Sequence, residues 1–192
     1  VLFLIAFIFF FFSKSFASVS PNGKISVDCV TSSGNPSFNV SYKSKTGQVH
    51  VFTLSSVGIL TQDGGGKNLN LKSVSKDKKI EENYIMQVGK RKKCFNSGTE
   101  CTYYFVDDLN RNVNITFRIF NDGITFRYEL SKLQHTTISD EITTYKMAPG
   151  IKRWTQKYDT PYEGFFPLNT DGVGSSSEKH WGYPALFQID NS

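Results

Sequence analysis

Apolar and polar residues alternate with a period of two through much of the chain, which is the pattern of half-buried strands. The alternation is clearest in Asn114–Leu130, NITFRIFNDGITFRYEL. Ile115, Phe117 and Ile119 form one row before Asn121-Asp122-Gly123, and Ile124, Phe126, Tyr128 and Leu130 form another after it. Such rows on either side of an Asp-Gly pair predict a β-hairpin. With Asp122-Gly123 as a two-residue loop, Ile119 is expected opposite Phe126, Phe117 opposite Tyr128 and Ile115 opposite Leu130. A three-residue loop would set Phe117 against Arg127, so the two-residue loop is preferred. That register has one cost: Arg118 faces Arg127, and like charges directly opposite destabilise a sheet. Glu129, or an acidic group from elsewhere, must then compensate.

Further strands are predicted at Lys24–Val30, Ser37–Tyr42, Val49–Leu60, Leu69–Val74, Tyr84–Val88 and Cys101–Val106. Turns are predicted at Gly34-Asn35-Pro36 and Lys45-Thr46-Gly47, and a glycine-rich loop at Thr61–Lys67. Lys76–Glu82 is charged throughout its middle and reads as a loop or one helical turn. Thr170–Lys179, TDGVGSSSEK, reads as an exposed connector. No pattern of period 3.6 lasts long enough for a helix. Many short strands between turn signals predict an all-β sandwich or barrel. No internal repeat and no long linker divides the chain.

Five segments carry a family resemblance, in order along the chain. They are SPNGKISV at Ser20–Val27, the FRIFNDGITFRYEL hairpin, Glu141 in DEITTYKM, Trp154 with Tyr162-Glu163 in WTQKYDTPYEGFFP, and Pro184–Phe187 in WGYPALF. Together they resemble the N-terminal domain of glycoside hydrolase family 97. The resemblance implies an antiparallel β-sandwich of the galactose-mutarotase-like (supersandwich) type. It implies that the sandwich precedes a catalytic (β/α)8 barrel acting as a retaining or inverting α-glucosidase or α-galactosidase. The acid and the base or nucleophile would lie in that barrel, and this chain has no strand-and-helix alternation to form one. The resemblance also implies that Glu163 reaches toward the active site as a Ca2+ ligand, in a site incomplete without the barrel. Calcium takes 6–8 oxygen ligands and favours carboxylates. The competing role for Glu163 is as counter-charge to Arg118 or Arg127. The competing function for the chain is a free-standing carbohydrate-binding module.

Val1–Phe12 is wholly apolar, and Ser15-Phe16-Ala17 supplies small residues suited to cleavage. Residues 1–17 are therefore expected to be a signal peptide incomplete at its start, and 18–192 a secreted (in a bacterium, periplasmic) domain truncated at its C-terminal end. Twelve apolar residues are too few to span a bilayer, so no membrane contact is expected once the leader is removed. The 192 residues carry a formal net charge of +5. No recognised nucleic-acid module accompanies that charge, so nucleic acid is not expected as a partner. Lys90-Arg91-Lys92-Lys93 reads as a solvated loop, or else as a contact for an acidic partner. Gly64-Gly65-Gly66-Lys67 is followed by Asn68 rather than Ser or Thr, which argues against a phosphate loop.

Cys94 and Cys101 bracket Asn96-Ser97-Gly98 and are predicted to form a disulfide across a turn, leaving Cys29 over. His50, His135 and His180 are scattered and match no catalytic motif. Asn39 and Asn114 head glycosylation sequons, each inside a predicted strand. Aromatic residues are dense from Trp154 to Trp181 and Tyr183. They would serve either as core or as a platform for stacking sugars.

Overall fold

The structure is a computed structural model and describes residues 16–32, 35–131, 137–158, 160–161, 163–169 and 181–189. The apolar residues 1–12, Tyr162, His135, His180 and the 170–179 connector lie outside the described residues. All the regular elements described are strands. In chain order they begin with β1 (Phe16–Val19), β2 (Ile25–Ser32), β3 (Asn35–Lys43), β4 (Gln48–Ser55) and β5 (Ile59–Thr61). Next come β6 (Asn70–Val74), β7 (Lys78–Ile85), β8 (Lys93–Val106), β9 (Asn112–Phe120) and β10 (Ile124–Leu130). Then follow β11 (Ile138–Glu141), β12 (Thr144–Lys146), β13 (Lys152–Trp154), β14 (Leu168–Asn169) and β15 (Leu186–Gln188).

Two five-stranded antiparallel sheets form the body. The first runs β1-β2-β3-β4-β12, and the second β10-β9-β8-β6 with β7 also on β8. Two small sheets, β11-β5 and β14-β13-β15, complete the topology. The first sheet turns Val27, Cys29, Phe38, Val40 and Leu54 inward, and the second turns Cys101, Tyr103, Phe105, Val113, Ile115, Phe117 and Ile119 inward. These alternate with outward residues, as the pleat requires. Phe38 joins the layers: its ring centroid lies 4.7 Å from Phe117, 5.0 Å from Tyr103 and 6.4 Å from Phe105. The Tyr103 and Phe105 contacts are edge-to-face, the arrangement the aromatic quadrupole favours. The result is the predicted antiparallel β-sandwich.

The central hairpin forms, in a register two residues from the expected one. Ile119 pairs with Ile124, Phe117 with Phe126 and Ile115 with Tyr128. The two-residue loop is therefore Asn121-Asp122, closed by Phe120 N donating to Gly123 O at 2.8 Å. A shift of two keeps every apolar residue on its own face, so alternation alone does not distinguish the registers. Charge does. Arg118 now faces Thr125 and Arg127 faces Thr116, which separates the two cations. The Asn121 side-chain oxygen also accepts from Asn22 N at 2.9 Å, fixing the turn to the Pro21-Asn22-Gly23 corner.

Two other expectations are corrected. Most of Lys76–Glu82 belongs to β7, paired with β8 from Lys78↔Glu100 to Ile85↔Lys93. Cys94 and Cys101 both lie on β8, so Asn96-Ser97-Gly98 is strand and not turn. Seven residues of extended chain separate their Cα atoms by about 23 Å, and a disulfide tolerates no more than about 7 Å. All three cysteines are free thiols, with Cys29 and Cys101 in the core. Gly98 serves the sheet instead: it pairs with Phe120, and a Cβ there would meet the Phe120 ring.

Candidate functional site

Where the first sheet meets the β14-β13-β15 sheet, an open cleft of about 1050 Å³ forms. Phe52 of β4 and Tyr145 of β12 make one wall, with ring centroids 5.7 Å apart. Arg153, Trp181, Tyr183 and Phe187 contribute the other. Burial, then the neighbouring Tyr183 and Glu141, push the Tyr145 hydroxyl above its ordinary pKa. It is therefore a neutral hydrogen-bonding group at neutral pH. Tyr183 is 76% exposed. The Trp181 Nε1 and Gln156 Nε2 donors are buried without a hydrogen-bond partner in the described structure. Buried donors of this kind are uncommon and call for a ligand, a water or another chain. Aromatic faces beside the Trp181 donor, the one of the two that belongs to the cleft lining, suit a polyhydroxylated ligand, which stacks on its C–H face and accepts at its hydroxyls.

Glu163 precedes Gly164, which packs on the Gln156 side chain, where a Cβ would collide with the amide. The Gln156 carbonyl in turn accepts from Gly182 N at 2.9 Å, and Gly182 lines the cleft. Pro161 fixes the backbone before Glu163, and Glu163 itself is exposed. A lone exposed carboxylate has the donor chemistry of a calcium ligand but supplies only one or two of the oxygens required. Among the described residues no group of three or more His, Cys, Asp or Glu side chains is gathered to hold a metal. The arginines do not need Glu163. Arg118 is held by Glu100 at 2.8 Å and Glu82 at 2.9 Å, and Arg127 by Glu129 at 2.6 Å. The counter-charge role for Glu163 is thereby overturned.

The glycine run does bind an anion, and the anion is the protein's own. The fully buried Asp107 carboxylate accepts from Gly66 N at 2.8 Å, Arg111 N at 2.8 Å and Leu109 N at 3.1 Å. Arg111 adds Nε and Nη2 at 3.1 Å each and reaches Asp63 with Nη1 at 2.8 Å. Burial pushes the Asp107 carboxyl up. The backbone donors of Arg111 and Gly66 and the guanidinium outweigh it, so the group is held below the usual carboxylate range. The Asp107 carboxylate is thereby committed to holding the two loops together. This cluster went unpredicted; the residues DGGGK followed by DDLNR are its sequence trace, legible only once the two loops are known to meet.

The sequence profile of the glycosyl-hydrolase 97 N-terminal family matches residues 19–192. The chain belongs to this family. Among solved structures, a beta-arabinopyranosidase aligns with this glycosyl-hydrolase 97 N-terminal domain at a TM-score of 0.71 and 19% identity, over 92% of this chain and 30% of that one. A glycoside hydrolase family 97 enzyme from Pseudoalteromonas sp. strain K8, in complex with acarbose, aligns at a TM-score of 0.62 and 18% identity, over 74% of this chain and 22% of that one. A variant of that enzyme in complex with panose gives the same values. No curated protein matches the sequence. The solved structures establish the fold, and the chain spans less than a third of their length.

Proposed function

We propose that this domain is the N-terminal sandwich of a secreted α-glycosidase, an α-glucosidase or α-galactosidase, and supports a catalytic barrel carried by the rest of the polypeptide. The observation that carries the reading is the family match over residues 19–192. The solved relatives add weight, since the region alike to this chain is 22–30% of longer enzymes. In this reading the sandwich contributes no catalytic acid or base. Several of its carboxylates are committed to arginines: Asp63 and Asp107 to Arg111, Glu82 and Glu100 to Arg118, and Glu129 to Arg127. Its contribution to the active site is Glu163, one carboxylate of a Ca2+ site that barrel residues complete. The test is hydrolysis of nitrophenyl α-glucoside and α-galactoside by the full-length gene product, with and without a calcium chelator. Calcium-dependent turnover by the full-length product, with none by residues 18–192 alone, is the expected result. Turnover by the sandwich alone overturns it.

A second reading rests on the aromatic cleft. Phe52, Tyr145, Trp181, Tyr183 and Phe187 could hold a sugar without any barrel, as in a free-standing carbohydrate-binding module. Calorimetric titration of the chain with α-linked gluco- and galacto-oligosaccharides separates the two. Saturable binding lost in Trp181→Ala, from a gene product with no barrel, favours the module.

A further inference from the structure

The β7–β8 ribbon leaves the sandwich. Lys93–Ser97 pairs with β7 alone, and β9 joins β8 only from Gly98 onward. Met86 N donates to Lys92 O at 2.9 Å and closes the tip around Gln87-Val88-Gly89-Lys90-Arg91, with Gly89 at a φ of 120°. Among the described residues the tip is apolar and open: Val88 is 80% exposed, Ile85 66% and Phe95 58%, with Met86 exposed beside them. It is also basic. Lys90, Arg91, Lys92 and Lys93 are all exposed, and among the described residues none has an ion-pair partner. The nearest acids along the ribbon, Glu81 and Glu82, are taken by Lys79 and Arg118. These four cations nearly equal the formal excess of +5 for the whole chain.

Three occupants can be weighed by their chemistry. A soluble polyanion would satisfy the cations and leave Met86, Val88 and Ile85 in water. A folded protein partner needs roughly 800 Å² from each side and, to suit this tip, acidic groups set directly beside an apolar pocket. An anionic bilayer meets both features at one narrow tip: headgroups receive the cations, and the interfacial zone receives the apolar side chains. We propose that the β7–β8 tip docks on an anionic lipid surface, with Lys90, Arg91, Lys92 and Lys93 at the headgroups and Met86 and Val88 at the acyl boundary. This contact is independent of the glycosidase reading and runs against the sequence expectation of no membrane contact.

The tip itself must report binding, because the full chain also carries the apolar residues 1–12. Val88→Trp provides the signal, after subtraction of the parent emission from Trp154 and Trp181. Vesicles of phosphatidylcholine with phosphatidylglycerol should shift its emission to the blue and shield it from an aqueous quencher, and added salt should reverse both. Vesicles of phosphatidylcholine alone should leave it unchanged. Adding Lys90→Glu and Arg91→Glu should weaken vesicle affinity by about tenfold or more, with the far-ultraviolet dichroism unchanged. Three outcomes overturn the proposal: no emission change, an equal change on neutral vesicles, or the same blue shift on soluble dextran sulfate. The last would assign the tip to polyanions.

Discussion

Asp107→Asn tests the buried cluster that ties the glycine loop to the β8–β9 turn. The substitution keeps the shape and removes the charge from a carboxylate that accepts three backbone N–H groups and two from Arg111. Breaking a buried ion pair by removing one partner costs roughly 3–5 kcal/mol. Arg111 keeps Asp63 at 2.8 Å, and one amide oxygen still accepts, so the lower part of that range applies. About 3 kcal/mol corresponds to a fall in Tm of roughly 6–12 °C for a domain of this size. The effect depends on pH with a definite sign. The folded pKa of Asp107 lies below the ordinary 3.8. Its stabilisation is therefore complete above that value and is lost as pH falls through the folded pKa. Thermal unfolding of parent and variant, followed by far-ultraviolet dichroism from pH 7 downward, should show the full gap at pH 7 and a narrowing gap below about pH 4. Equal melting temperatures at pH 7, or a gap that widens with acid, would refute the reasoning.

Glu163→Gln in the full-length enzyme should abolish the calcium dependence of activity at unchanged melting temperature of the calcium-free protein; retained dependence removes Glu163 from the metal site. Phe38→Ala takes away the ring that joins the layers and should cost about 3–5 kcal/mol, measured by denaturant unfolding, with a loss below about 1 kcal/mol contradicting the packing described. A disulfide reagent at pH 8 should label one thiol of the native protein, Cys94. Cys29, pushed up to about 12 by burial and the nearby Cys101, and Cys101, pushed up by its own burial, should react only after unfolding. Three rapidly reacting thiols would show that the core is open.

Legibility followed the number of buried faces. β9, with Val113, Ile115, Phe117 and Ile119 inward, was plain in the sequence because one face is dry. Its register was not, since a slip of two preserves the faces and only Arg118 and Arg127 distinguish the alternatives. β7 was missed because Lys78–Ile85 is exposed along nearly its whole length, which leaves no alternation to read. The cysteine pairing failed for a related reason: Asn96-Ser97-Gly98 carries turn chemistry, yet the ring of Phe120 requires a glycine at that point of a straight strand. The cleft depends on contacts between β4, β12 and the β13–β15 sheet, distances that no local pattern encodes. Glu163 was reached through family resemblance alone.

The order of strands bears on how the chain is made. β2, β3 and β4 follow one another as neighbours, and so do β7, β8, β9 and β10. Each run can zip hairpin by hairpin at low loop-closure entropy. The edge of β4 is different. It is covered by β12, whose Thr144 pairs with Ser55 from about ninety residues away. During synthesis from the N-terminus, Gln48–Ser55 is therefore complete long before its cover exists. QVHVFTLS holds no Asp, Glu, Lys or Arg and is rich in strand-forming residues. An open edge of that composition is a template for pairing between chains. The yield of folded protein thus turns on how quickly Thr144–Lys146 reaches β4, a race set by connectivity and not by the strength of the core.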